Sequence, residues 1–205
     1  GPVKDYECHC GKYKGIRYRG IICDRCGVEV TRKKVRRERM GHITLAVPII
    51  HIWYLRSIPS KLAYLTGLKT KQLERIIYYE TFVVIEPGKS GREVMELLDE
   101  DEYFELEREF GFYAVSEEER DNDDYFYATM GGEAIKEMLS RINLFELKKS
   151  LEVIIETSKS KQKRNEALNR LKIVKTFLPT LSKKRINQPE WMVISVLPVI
   201  PPELR

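Results

Sequence analysis

Large aliphatic residues are sparse over residues 1–40 and then arrive as a block at residues 43–55, rich in β-branched and aromatic side chains. That block predicts one or two buried strands, with Pro48 at a bend or an edge because proline cannot donate to a ladder. Ser60 is placed to cap a short helix ending at Gly67, and Thr70 to cap the next, where Leu73, Ile76 and Ile77 share one face. Phe82-Val83-Val84-Ile85 predicts a strand stopped by Pro87-Gly88. Ser90-Gly91-Arg92-Glu93 has the spacing of a capping box, which predicts a helix with Val94, Leu97 and Leu98 turned inward.

From Gly132 onward the period becomes helical. Leu144, Leu147, Leu151, Ile154 and Ile155 make one stripe, and Leu168, Leu171, Val174 and Leu178 make another. Thr157-Ser158-Lys159-Ser160 lies between them as a turn, so an antiparallel helical pair of roughly four to five turns per helix is expected within residues 132–180. Residues 191–197 return as a strand before Pro198 and Pro201-Pro202. The fold class expected is α+β: a small module at residues 1–42, then a mixed domain at residues 43–205 with short strands and the helical pair. No internal repeat is visible.

Charge divides the chain further. Residues 1–45 carry 12 basic and 5 acidic side chains, residues 99–124 carry 2 and 13, and residues 148–185 carry 12 and 3. Blocks of alternating sign predict separate surfaces with different partners. The acidic block falls in a segment, about residues 88–130, that is expected to be an insert. Its Phe110, Phe112, Tyr125, Phe126 and Tyr127 predict anchoring at intervals. A charged content of 33% against 42% hydrophobic is ordinary for a soluble domain. The apolar run at 43–55 is too short and too polar to span a bilayer, and the first five residues lack signal-peptide character.

The strongest chemical signal is Cys8-x-Cys10, twelve intervening residues, then Cys23-x-x-Cys26. Thiolates are soft donors, and four around one ion give a closed structural zinc site. Gly11 and Gly27 follow the two pairs and let the backbone fold back. Two disulfides or free buried thiols are the competing readings, disfavoured because all four cysteines fall in this one window. The intervening residues 12–22 are expected to form a short β-ribbon. Residues 1–40 could not hold a hydrophobic core unaided, so one structural Zn²⁺ must act as the staple. His9 reads as a surface residue, and His42 and His51 as packing residues.

Lys12, Lys14, Arg17, Arg19 and Arg25 lie within the cysteine window, and Arg32, Lys33 and Lys34 follow it, with Tyr13 and Tyr18 interleaved. Cations and tyrosines on a small rigid module suit phosphate contact and base stacking, without sequence preference because no recognition helix is present. A solvated charged surface, or a dock for an acidic protein, is the alternative. Part of residues 36–39 could instead pair with Glu29 and Glu38. The second basic region, residues 159–185, reads first as a solvated helix exterior. No phosphate loop, nucleophile elbow, metalloprotease helix or paired-metal carboxylate motif is present, so no catalysis is expected from this chain.

Gly1-Pro2-Val3-Lys4-Asp5-Tyr6-Glu7-Cys8-His9-Cys10-Gly11-Lys12-Tyr13-Lys14, together with Cys23-Asp24-Arg25-Cys26-Gly27-Val28-Glu29-Val30-Thr31, resembles the zinc-binding module of the bacterial RNA polymerase β′ subunit family. Val35-Arg36-Arg37-Glu38-Arg39-Met40-Gly41-His42-Ile43, His51-Ile52-Trp53, Pro59-Ser60-Lys61 and Pro189-Glu190-Trp191-Met192 resemble it in order. Val196-Leu197-Pro198-Val199-Ile200-Pro201-Pro202-Glu203-Leu204-Arg205 closes the resemblance. It implies an N-terminal fragment, cut at both ends, of an enzyme that makes RNA on a DNA template. The catalytic Mg²⁺ of that enzyme would be held outside this chain. The resemblance further implies a zinc module and clamp base near upstream DNA and exiting RNA, other polymerase subunits and a σ factor as partners, and a cytoplasmic, nucleoid-associated setting without a membrane. A free-standing zinc-ribbon module binding nucleic acid or protein is the alternative.

Overall fold

The computed structural model describes residues 1–178 and 187–204. The last two residues of the expected 132–180 helical segment, and the basic residues 183–185, lie outside the described residues. The chain divides into two compact units: Gly1–Leu45 with Val196–Arg205, and Ala46–Ser195. The last ten residues therefore group with the N-terminal segment rather than with the residues that precede them.

The first unit holds α1 (Val35–Glu38) and the start of β1 (Gly41–Ile50). The expected β-ribbon over residues 12–22 is replaced by a 3-10 turn at Ile16–Tyr18, and pairing shrinks to single bridges, Glu7 with Lys14 and Ile22 with Glu29. Gly15 and Gly20 flank that turn with φ of 100° and 86°, which reverses the chain before a ladder can extend. Three residues, Cys8, Cys23 and Val30, form the buried cluster here, with Tyr6, Tyr13 and Tyr18 packed around them. Behind them, Glu203 accepts from Arg36 Nε at 3.0 Å and lies 3.4 Å from Arg37 Nε, which ties the C-terminal residues to α1.

In the second unit, α2 (Ile52–Leu55) follows β1 where continued strand was expected. His51 sets the change: its Nδ1 accepts the Trp53 N–H at 3.2 Å, an N-cap that starts a turn. α3 (Lys61–Thr66) begins at Ser60, whose Oγ accepts the Ala63 N–H at 3.3 Å, and ends at Gly67 with φ 82°. α4 (Thr70–Ile77) starts at Thr70 itself, so its cap lies one residue before the expected one. Lys69 is the N-cap, and Gln72 Oε1 accepts the Lys69 N–H at 2.9 Å.

β2 (Phe82–Glu86) is the centre of a sheet ordered β3-β2-β4, with β3 at Leu97–Leu98, β4 at Tyr127–Thr129 and both neighbours antiparallel. The helix expected after Ser90 is absent. Gly91 and Met95 have φ of 70° and 69°, and the Met95 N–H donates to Val84 O at 2.8 Å, so the segment joins the sheet edge and leaves Val94 exposed. The capping box forms instead at Asp99 and Glu102, each side chain accepting the other's N–H at 2.9 and 3.3 Å, and it opens α5 (Glu100–Phe110). Three acidic residues in the first turn of α5 suit the positive end of its dipole. Tyr103 stacks on Phe82 at 3.8 Å, and Leu106 and Phe110 pack on Val84, Leu98 and Phe126, so the acidic block is anchored to the sheet.

α6 (Glu117–Asp121) is held by a Lys89–Glu119 ion pair. The Lys89 ammonium first, then the Ser116 N–H and hydroxyl, hold the Glu119 carboxyl down at about 2, against an ordinary 4.5. A folded value below the unfolded one means the pair stabilises above the ordinary value and that this is lost as pH falls towards about 2. Thermal melts across this acid window should therefore fall less steeply in Lys89→Met than in the parent; superimposable curves would show the pair contributes nothing.

α7 (Gly131–Arg141), α8 (Leu144–Thr157) and α9 (Lys161–Phe177) complete the unit. α8 and α9 pack along each other across residues 158–160, with Leu151, Ala167, Leu171 and Val174 buried. Two expected stripe residues, Ile154 and Leu168, stay partly exposed, while Ala167 is buried. The main core joins Leu62, Leu65, Leu73, Ile76, Val83 and Ile135, each almost wholly buried. A 3-10 turn at Pro189–Met192 precedes β5 (Val193–Val199), which pairs with β1. No helix among the described residues is long and apolar enough to cross a membrane. The whole is an α+β fold with a four-cysteine module at its N-terminus.

Candidate metal centre and basic face

Two backbone turns bring the sulfurs together. The Gly11 N–H donates to Cys8 O at 3.1 Å and the Gly27 N–H to Cys23 O at 2.8 Å, with φ of 78° and 70° at the two glycines. The Cys8 N–H pairs with Tyr13 O and the Cys23 N–H with Val28 O, so each cysteine pair sits at the mouth of a reversed loop. The four Sγ atoms all lie within 4.8 Å of one another. Cys10 Sγ is 3.7 Å from Cys8 Sγ and 3.6 Å from Cys23 Sγ. A tetrahedral zinc with Zn–S bonds of about 2.3 Å requires S···S edges of about 3.8 Å, so the measured edges fit that ion.

The electrostatics agree. The Lys12 N–H favours the Cys10 thiolate, yet partial desolvation and the neighbouring Cys23, Cys8 and Cys26 sulfurs outweigh it and push the thiol up to about 11. The Cys10 and Val28 backbone N–H groups hold the Cys26 thiol down at about 6. Crowded thiols resist joint ionisation unless a cation shares the charge, and a dication at the centre of four sulfurs removes that conflict. His9, exposed beside two of the cysteines, adds no ligand to this group.

The cations expected to face nucleic acid separate into two sets. Lys12 is paired with Asp24 at 2.7 Å, Lys14 with Glu7 at 3.3 Å and Lys34 with Glu38 at 2.7 Å. Arg17 lies over the Tyr18 ring at 4.7 Å, and Arg32 Nε donates to Tyr6 Oη at 3.0 Å, neither of them neutralised by a carboxylate. Arg19, Arg25 and Lys33 are exposed, and their charges have no ion pair among the described residues. Arg36, Arg37 and Arg39 are structural: the first two hold Glu203, and Arg39 pairs with Glu29 at 2.6 Å. Glu203 escaped the sequence reading because its partner lies 167 positions away, and no local pattern announces such a pair.

A family model described as RNA polymerase Rpb1, domain 1, matches residues 1–205. The DNA-directed RNA polymerase subunit beta' of Azobacteroides pseudotrichonymphae genomovar. CFP2 is 56% identical over 207 residues, covering 100% of this chain and 14% of that relative. The subunit beta' of Salinibacter ruber is 52% identical over 212 residues, with the same coverage of both chains. That of Chloroherpeton thalassium is 51% identical over 230 residues, covering 100% of this chain and 15% of the relative. The chain thus spans about one seventh of the length of the curated relatives it matches.

Proposed function

The chain belongs to the RNA polymerase Rpb1 domain 1 family, and from that premise we propose that it is a non-catalytic N-terminal segment of a β′-type subunit that holds nucleic acid during DNA-templated transcription. Residues 1–42 act as a zinc-binding module, and residues 43–205 act as the base of a clamp. Cys8, Cys10, Cys23 and Cys26 hold one structural Zn²⁺. The ion supplies a cross-link and no reaction, since four sulfurs leave no open position for water. Catalytic Mg²⁺ belongs to parts of the subunit outside this chain. The remaining polymerase subunits and a σ factor are the protein partners, in the cytoplasm.

The cations of the N-terminal module contact upstream DNA and exiting RNA. The supporting observation is that Arg17, Arg19, Arg25, Arg32 and Lys33 have no carboxylate ion pair among the described residues, on a unit whose buried cluster is built around the cysteines. Cations left unpaired retain their full charge for phosphate. Lys12, Lys14 and Lys34 reach phosphate only by leaving their own carboxylates, so they contribute less.

Filter binding across a salt series tests this. Single-stranded RNA and duplex DNA should both bind, without sequence preference, and log K should fall with log salt by about 0.7 to 0.9 per phosphate contacted. Arg19→Ala and Arg25→Ala should each reduce that slope by about one contact, and Lys12→Ala by less. A flat salt response would remove phosphate contact from the account.

A further inference from the structure

On the reading that the four sulfurs hold zinc, we propose that Cys10 is the oxidant-reactive thiolate of the centre, and that a hydroperoxide converts it into a Cys10–Cys23 disulfide with loss of the metal. The four cysteines are not equivalent. Cys8 and Cys23 are 2% and 1% exposed, Cys26 is intermediate, and Cys10 alone of the four is exposed. Attack by a thiolate requires access, and its nucleophilicity falls as hydrogen bonds draw charge from the sulfur. The Cys8 sulfur accepts the Tyr13 N–H at 3.2 Å inside the fold. Cys26 is only partly open to solvent, so Cys10 is the sulfur an oxidant meets first.

The second sulfur is also set by geometry. Cys23 Sγ lies 3.6 Å from Cys10 Sγ and comes from the opposite loop. Cys8 Sγ is as near, at 3.7 Å, but a bond to it would close a ring across the single residue His9. The Cys10 thiolate attacks one peroxide oxygen, the O–O bond breaks, hydroxide leaves, and Cys10 becomes a sulfenic acid. The Cys23 thiolate then attacks the Cys10 sulfur. The S–S bond forms, the S–O bond breaks, and a second hydroxide leaves. The two sulfurs have given up two electrons and the peroxide has accepted them. Cys8 and Cys26 remain, too few for a closed four-coordinate site. The module then loses its staple, and with it the fixed cationic face, until a dithiol and zinc restore both.

The test uses the zinc-loaded chain and hydrogen peroxide, with metal release followed by a chelating dye and the cysteines mapped by peptide mass spectrometry. About one zinc should appear per peroxide consumed, together with a Cys10–Cys23 disulfide. A brief iodoacetamide pulse without oxidant should label Cys10 about tenfold faster than Cys8 or Cys23. A first disulfide that excludes Cys10, faster labelling of Cys26, or peroxide consumption with zinc retained would overturn the proposal. A chain purified without zinc would overturn the metal assignment and the proposal together, whereas labelling that spares Cys10 in the zinc-loaded chain would overturn the proposal alone.

Discussion

Removing zinc should unfold the first unit around its cysteines and leave the described elements of the second unit folded. The second unit has its own core, with Leu62, Leu73, Ile76, Val83, Ala134 and Ile135 fully buried. The buried cluster of the first unit is Val30 with Cys8 and Cys23, and no area of that size offsets the entropy of ordering forty-odd residues. Apparent binding energies of structural zinc, about 10 to 16 kcal/mol, are of the size required. Cys23→Ser should therefore weaken zinc binding by at least about a thousandfold, since it replaces a buried soft thiolate with a hydroxyl that stays protonated. Limited trypsin digestion reads the outcome directly. With zinc, cleavage at Arg17, Arg19 and Arg25 should be slow; after chelation, or in Cys23→Ser, it should be immediate, while fragments containing α7 to α9 persist. Equal protection of those three arginines with and without metal would sink the claim that the ion holds the module together.

The clustering of the four cysteines was legible because its signal is local and chemical. Four soft donors at fixed spacing, each pair followed by glycine, leave few other arrangements. The helices were legible where caps and periodicity agreed, as at Ser60, Gly67 and the paired segments of residues 144–157 and 161–177. Reading failed where two local patterns compete and a distant partner decides. Ser90 and Glu93 have capping-box spacing, yet β2 offers Leu97 and Leu98 a ladder and a buried face, so the box forms at Asp99 and Glu102. Ile154 and Leu168 fit an apolar stripe by period, yet they stay partly exposed while Ala167 is buried. The basic face was legible as composition and not as chemistry. Only the fold reveals that Asp24, Glu7 and Glu38 occupy three of its lysines while Arg19 and Arg25 remain open.

Gly132→Ala should be among the most destabilising single substitutions in the second unit. A Cβ on Gly132 would lie 2.0 Å from Pro48 O and 2.7 Å from Pro48 C, contacts that no side-chain rotation relieves because both atoms are backbone. Relief requires α7 to move off β1. That helix carries Ala134, Ile135, Met138 and Leu139 into the core at 0 to 2% exposure, so a shift of about an ångström opens packing along its whole inner face. Overpacked cores lose roughly 1 to 3 kcal/mol when side chains can yield, and a backbone clash belongs at or above the top of that range. The midpoint of thermal unfolding should fall by about 6 to 12 °C, at 2 to 4 °C per kcal/mol for a chain of this size. Gly91→Ala is the matched control: φ there is +70° and nothing lies within 4 Å of the new Cβ, so only the backbone penalty of about 1 to 2 kcal/mol applies. Zinc content separates the two units in the same experiment, because the Gly132→Ala chain should keep its metal while its helices melt early. A midpoint equal to that of Gly91→Ala would mean that α7 does not approach the Pro48 carbonyl closely enough to exclude a methyl group.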